Sequence, residues 1–448
     1  MSALADRIRG IVQSSVGADL RVGPAGGPIG PPLRGTESDI ASVLGGEWRE
    51  DAHGSCLVVE RRVEPSAAHG RARVGDFAIA LRDAADEAPM LAAGAPVRPP
   101  FMFFDLETTG LSGGAGTHAF LVGCGWFDDE GGFVTRQYVM TRYADERPML
   151  GTVAGELARA GALVSFNGKS FDAPVLETRY LFHRLEWAGA RLPHLDVLHP
   201  ARAFWGDRSC SLGALEQQQL GARRAGDVPG CEIPARYFQF VRSGDARPLA
   251  AVLEHNRLDL LSLAGLAARL LHLVRAGAAA SSDSREALAL GRVYARAGLE
   301  ARAYEAYECA VRTATASSGA IASDALRALA CLSRRAKRYA DAAEYWQQVL
   351  GLRGCPPSIA REASEALAIH HEHRVRDLAE AKRFALQSLE HGMHTAWAEA
   401  GRHRLARIEK KIDRRLATSA PSPVRAFSSS SRPRPSCGSR TSARRTSW

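Results

Sequence analysis

Residues 101–112 read FMFFDLETTGLS, and this stretch constrains the fold more than any other. Five of its first six residues are apolar, which is the pattern of a short strand buried on both faces. Asp105 and Glu107 stand at the end of that run, two apart, so their side chains share one face of the strand. Two carboxylates side by side repel each other unless a cation lies between them. A chain with this feature must build a covered sheet and must also bring something to the tip of one central strand.

The pattern around this stretch points to an α/β domain. AFLVGCGWF (119–127) and GFVTRQYVM (132–140) predict two further strands. ERPMLGTVAGELARAG predicts a helix, ALVSFNG (162–168) a strand, and FDAPVLETRYLFHRL (171–185) a helix with Pro174 in its first turn. LPHLDVLHPARAFW (192–205) reads as a fifth strand or strand-like segment, and residues 250–274 as a long helix. Three strands followed by alternating helices and strands give a mixed sheet with flanking helices.

Upstream, residues 1–37 are rich in Gly and Pro and read as a flexible N-terminal segment. Residues 38–100 contain one clear strand, SCLVVERRV (55–63), and read as an extension packing on the main domain, 101–276. After Ser281 only helical patterns occur, and they repeat. ARAYEAYECAV begins at Ala301, ADAAEYWQQVL at Ala340 and AEAKRFALQSL at Ala379, a spacing of 39 residues. Residues 285–411 therefore predict an all-α tetratricopeptide-like repeat domain, slightly longer per unit than the usual ~34 residues. Residues 412–448 read as a disordered basic tail.

The formal charge is +9, but six arginines and no acids lie from Thr418 onward, so the rest of the chain carries only +3. Bulk charge alone is weak evidence for nucleic acid. The eight cysteines are scattered without a CxxC pair, which argues against a zinc ribbon and a disulfide framework and makes a reducing cytoplasm the expectation. The first residues lack the apolar core of a secretory signal, and the most apolar long stretch, from Leu260, is broken by Arg269, His272 and Arg275, so no membrane span is expected.

Two more pieces accompany the strand tip. NGKSFD (167–172) ends a strand at Asn167, turns through Gly168 and enters a helix near Asp172, where an Asp can cap the helix. HNRLD (255–259) places His255 and Asp259 one helical turn apart, where a surface ion pair is the plain alternative. Asp105, Glu107, Asp172 and Asp259 together are hard oxygen ligands of the kind that divalent cations take. A pair of ions can clamp the attacking and leaving oxygens of a phosphodiester, and a nearby histidine can take a proton from water.

With DLETTG, NGKSFD and HNRLD in this order, the chain resembles the DEDD superfamily of 3′–5′ exonucleases, which has a ribonuclease H-like fold. Within it the chain looks most like the YprB-like ribonuclease H-like proteins, whose nuclease domain can precede tetratricopeptide-type repeats. HLDVLHPARAFW and CSLGALEQQQLGARRAGDVPG support this. The resemblance implies that Asp105, Glu107, Asp172 and Asp259 bind two Mg²⁺ or Mn²⁺ ions and that His255 helps deprotonate a water. It also implies that backbone around Thr108 lies along the terminal nucleotide, that Asn167 supports the site, and that Asp196 is a further acid near it, a helix or turn cap being the alternative. Lys169 in the turn could touch a phosphate, a solvated lysine being the plain alternative. The implied substrate is nucleic acid, DNA favoured over RNA, in repair or processing, with a helicase as a possible partner of the repeats. A structure-specific endonuclease and a repeat-based scaffold with an inactive nuclease domain are the alternatives. One spacing departs from the family. Its members carry Tyr four residues, or His five residues, before the last Asp, and here a His stands four before.

Overall fold

The computed structural model describes residues 36–419, except 52–53, 111–115, 207–208, 316–317 and 391–394. Most of the expected N-terminal segment and residues 420–448 of the expected tail lie outside the described residues.

A seven-stranded mixed sheet organises the first part of the chain. Helix α1 (Glu37–Leu44) leads into strands β1 (Glu47–Asp51) and β2 (Gly54–Val63). A small hairpin, β3 (Ala68–His69) and β4 (Ala72–Arg73), precedes α2 (Val74–Asp83). Then come β5 (Phe101–Thr108), β6 (Ala119–Phe127), β7 (Phe133–Val139), α3 (Glu146–Leu157) and β8 (Ala162–Ser165). They are followed by α4 (Asp172–Phe182), β9 (His194–Asp196), α5 (Leu198–Trp205), α6 (Ile233–Ser243) and α7 (Arg247–Ala276). The strand order is β1-β2-β7-β6-β5-β8-β9. β5 pairs antiparallel with β6 and parallel with β8, so it sits where the antiparallel half meets the parallel half.

Two expectations change here. The segment expected to pack on the domain as an extension instead supplies β1 and β2 to the same sheet, where β2 pairs with β7 from Leu57↔Val139 to Val63↔Phe133. Its CLVV run is buried because both of its faces are covered. The segment 192–205 is strand for only three residues and then becomes α5, whose Phe204 and Trp205 are buried. Asp196 makes the break, accepting from the Leu198 N–H at 3.1 Å.

The core joins Phe104, Phe120, Leu121, Val122, Tyr138 and Val139 of the sheet to Leu249, Val252 and Leu253 of α7. α7 is 30 residues long, and from Leu260 to Val274 it is buried on nearly every side. That explains a stretch apolar enough to raise the question of a membrane. Among the described residues no helix is long and apolar enough to cross one.

Helices α8 (Ser284–Arg296), α9 (Glu300–Thr313), α10 (Gly319–Arg335), α11 (Tyr339–Gly351), α12 (Pro357–His370), α13 (Leu378–Glu390) and α14 (Thr395–Ser419) complete the described chain. α9, α11 and α13 start 39 residues apart, as the sequence spacing predicts. Each start is preceded two residues earlier by a left-handed residue, Gly298, Lys337 and Arg376 (φ 76°, 61° and 63°). Only one of the three is glycine, so the turn is imposed on Lys337 and Arg376 by the packing of the flanking helices. α14 runs to Ser419, past residue 412, where the sequence reading began a tail.

The chain divides inside α12 into two compact units, Met1–Ala363 and Ser364–Trp448. The first holds the sheet together with α8–α11. Buried Glu286 accepts from Trp205 Nε1 at 2.8 Å and from Arg269 at 3.2 Å, and Tyr294 donates to the Val274 carbonyl at 2.7 Å. In the second, buried Glu372 accepts from Arg407 (2.7 Å) and Lys411 (2.6 Å).

Candidate active site

The carboxylates gather at the C-terminal end of β5. The register of β5 against β6 slips between Glu107 and Thr108, and this bulge ends the regular pairing just past the two acids. Thr108 is buried, and its hydroxyl donates to the Gly110 carbonyl at 2.9 Å, closing the turn that follows. Its side chain is therefore occupied within the turn.

Asp172 is the first residue of α4, buried to 5% exposure, and caps nothing. The approach to it depends on Gly168. A Cβ there would lie 2.4 Å from Ser165 Oγ and 3.0 Å from Asp172 Oδ2. Asn167 takes a left-handed conformation (φ 67°), and both it and Lys169 are exposed. Asp196, expected as a further acid near the site, has its carboxylate committed to this turn. It accepts from the N–H groups of Asn167 (2.7 Å), Lys169 (3.2 Å) and Leu198 (3.1 Å). Its role in the structure is to clamp the turn that carries Asp172.

α7 brings the last pieces. Asp259 and His255 lie one turn apart and face each other, His255 Nε2 to Asp259 Oδ2 at 3.4 Å. One ligand atom each from Glu107, His255 and Asp259 lies within 4.8 Å of the others. The four-residue spacing thus brings His255 to the acids.

Three residues at the site went unread in the sequence. Asn256 is fully buried between α7 and the sheet and donates to Asp105 Oδ2 at 2.9 Å. Its own oxygen accepts from Gln137 at 2.9 Å. Strand residue Gly123, opposite Asp105, admits this contact, since a Cβ there would come within 2.2 Å of Asn256 Oδ1. The legible signal was helical phase. Asn256 stands on the apolar face formed by Leu249, Val252, Leu253 and Leu260, where a polar residue needs a buried partner. Arg224 and Asp227 come from the loop after residue 220. Arg224 meets Asp259 Oδ1 at 2.6 Å, Glu216 at 2.6 Å and Asp227 at 3.2 Å, while Asp227 Oδ1 takes His255 Nδ1 at 2.7 Å. That loop carries no pattern that assigns its fold, so its role was not legible.

The electrostatics are those of too many acids in too little water. Desolvation, then the charges of Asp259, Asp172 and Glu107, hold Asp105 well above the ordinary carboxylate range, against the pull of Asn256. Glu107 is pushed up to about 8 by desolvation and then by Asp259, Asp172 and Asp227. Asp172 rises to about 7 through desolvation and Asp196. Desolvation also raises Asp259, with Arg224 and His255 opposing. Among the described residues, the Glu107 and Asp172 carboxylates have no hydrogen-bond or ion-pair partner. One arginine does not offset four clustered acids, and the all-oxygen donor set they form suits a hard divalent cation.

A cleft of about 680 Å³ opens beside His255 and Asp259, lined also by Gln217, Arg223, Arg224 and Asp227. A second groove, around Phe101, Trp126 and Phe127 at the far end of β5, contains none of the four acids. His183 and His194 are bonded to Glu146 (2.7 Å) and Ser165 (2.6 Å), and His199 is exposed.

Comparison with known proteins agrees with this architecture. Residues 102–271 match a family model described as the RNase_H superfamily. The chain is 28% identical over 369 residues to "Uncharacterized protein YprB" of Bacillus subtilis (strain 168), an alignment spanning 80% of this chain and 86% of that one. Residues 102–271 thus carry an RNase_H superfamily domain, and the chain is similar to YprB over most of its length. The matched span runs from β5 to within a few residues of the end of α7, so it contains all four acids and His255. A nuclease-type hydrolase acting on nucleic acid, with divalent metal, is the activity this domain supports.

Proposed function

We propose that this protein is a metal-dependent 3′–5′ exonuclease of the DEDD type, hydrolysing phosphodiester bonds of nucleic acid, with DNA the favoured substrate. The observation that carries the reading is the convergence of Asp105, Glu107, Asp172 and Asp259 with far more negative charge than the surrounding side chains neutralise. These four residues would hold two divalent ions, Mg²⁺ or Mn²⁺. When bound, such ions supply an activated water and stabilise the leaving 3′ oxygen.

The chain's own residues do the positioning. β5 holds Asp105 and Glu107 on a rigid central strand, and Asn256 fixes the orientation of the Asp105 carboxylate. The Asp196 clamp and Gly168 set Asp172 against that strand. Arg224 limits the charge on Asp259, and Arg223 lines the adjoining cleft, where it would meet a phosphate. Backbone at Thr108, past the bulge after Glu107, would lie along a terminal nucleotide, and exposed Asn167 and Lys169 would contact the substrate. His255 contributes the one imidazole in the cluster. The helical repeats are a candidate surface for a protein partner, such as a helicase in DNA repair.

The test is an assay with 3′- and 5′-labelled DNA and RNA, with Mg²⁺, Mn²⁺ or chelator, against Asp172→Ala. Stepwise loss of 5′-mononucleotides from the 3′ end, abolished in the variant, is expected. Intact linear substrates under all metal conditions would overturn the reading, and cleavage of a circle would convert it to an endonuclease.

A further inference from the structure

The position of His255 bears on a question the four carboxylates leave open, namely which ion the site prefers; the answer below rests on the metal-dependent reading above. Three donor atoms, from Glu107, His255 and Asp259, lie within 4.8 Å of one another. Asp227 lies 2.7 Å from the His255 Nδ1. A carboxylate only accepts, so this contact assigns a proton to Nδ1 and leaves Nε2 as the ring nitrogen that can serve a cation. Nε2 lies 3.4 Å from Asp259 Oδ2, and His255 and Asp259 share their cluster with Glu107. Donor atoms of three residues are thus close enough together to share one ion. Arg224 does not take that place, because its guanidinium engages the other oxygen, Asp259 Oδ1, and is held there by Glu216 and Asp227.

An imidazole that gives one N–H to a carboxylate and turns its other nitrogen toward further donors has the arrangement typical of metal-ligating histidines. We propose that His255 is itself a metal ligand through Nε2, forming with Glu107 and Asp259 a mixed nitrogen–oxygen site that selects Mn²⁺ over Mg²⁺. Imidazole suits transition dications, whereas Mg²⁺ holds to oxygen ligands and water. The four-residue spacing of His255 and Asp259 then gains a reason. It places both donors on one face of α7, as ligand pairs on a single helix require.

The experiment uses the full-length protein, stripped with chelator and titrated with MnCl₂ alone. Pulsed electron paramagnetic resonance of the Mn²⁺ complex should show coupling to an imidazole ¹⁴N. His255→Gln should lose that coupling and weaken Mn²⁺ binding by about tenfold or more while changing Mg²⁺ binding little. Asp227→Asn should retain the coupling with a smaller loss of affinity. Mn²⁺ bound by the wild type without nitrogen coupling, or with coupling that survives in His255→Gln, would overturn the proposal and return His255 to a proton-accepting role. Absence of any Mn²⁺ binding would overturn it together with the metal-dependent reading. The spectroscopic signal does not depend on cleavage, so failure of the nuclease assay leaves the ligand result intact.

Discussion

Replacing Glu107 with Gln should stabilise the metal-free protein while destroying its activity. Glu107 is pushed from 4.5 to about 8 by desolvation and by Asp259, Asp172 and Asp227. Because its folded-state value lies above the unfolded one, its contribution to stability is complete below about 4.5 and is lost as pH rises toward 8. At ~1.4 kcal/mol for each pH unit between 4.5 and neutrality, burying Glu107 costs about 3 kcal/mol at pH 7, where the folded carboxyl is mostly protonated and the unfolded one ionised. Gln keeps the size and removes the charge, so about 3 kcal/mol is the ceiling of the gain, or roughly 5 °C in melting temperature. The assay is unfolding in chelator, wild type against Glu107→Gln, at pH 5 and pH 7. The gap should be largest at pH 7 and shrink at pH 5. Excess divalent ion should narrow it at pH 7, because it stabilises the folded wild type in proportion to its binding. A variant equal to or less stable than the wild type in chelator at pH 7 would refute the reasoning, since it would mean that the fold already neutralises Glu107.

Further outcomes follow from contacts around the site. Asn256→Leu leaves Asp105 without its side-chain donor and should lower activity about 10–100-fold, read as kcat on an end-labelled substrate. Gly168→Ala places a methyl 2.4 Å from Ser165 Oγ and 3.0 Å from Asp172 Oδ2. It should cost about 1–3 kcal/mol in chemical denaturation and reduce divalent-ion affinity. Glu286→Ala strands the Trp205 N–H and the Arg269 charge far from the acids. It should destabilise by about 2–3 kcal/mol while leaving activity per folded molecule unchanged, measured by active-site titration at low temperature.

How far each feature was legible depended on the range of the interactions that decide it. Local rules decided the acid-tipped strand. An apolar run long enough to be buried, ended by Asp105 and Glu107, reads directly from the pleat period of two, and β5 covers Phe101–Thr108. The 39-residue period of α9, α11 and α13 was equally local, because each copy repeats the same helix pattern. The α/β class with helical repeats followed from these two signals. Short-range reading failed where a neighbour decides the structure. β2 was visible as a strand, but its place in the main sheet depends on β7, some 75 residues away. Residues 198–205 became a helix because Asp196 caps the break.

The site divides in the same way. The sequence by itself determined which residue types the chain offers: two acids on one strand face, an acid after the NGKSF turn, and a histidine and an acid one turn apart on a helix. Only the tertiary structure decided what balances them. The Asn256 bond to Asp105 exists because Gly123 leaves room on a facing strand. The Arg224 and Asp227 contacts exist because a loop some 30 residues before α7's acids folds back over them. Asp196, an acid by sequence, is absorbed into the turn it clamps. Charges and hydrogen bonds act over a few ångströms in space, and the chain distance between the groups does not record that proximity.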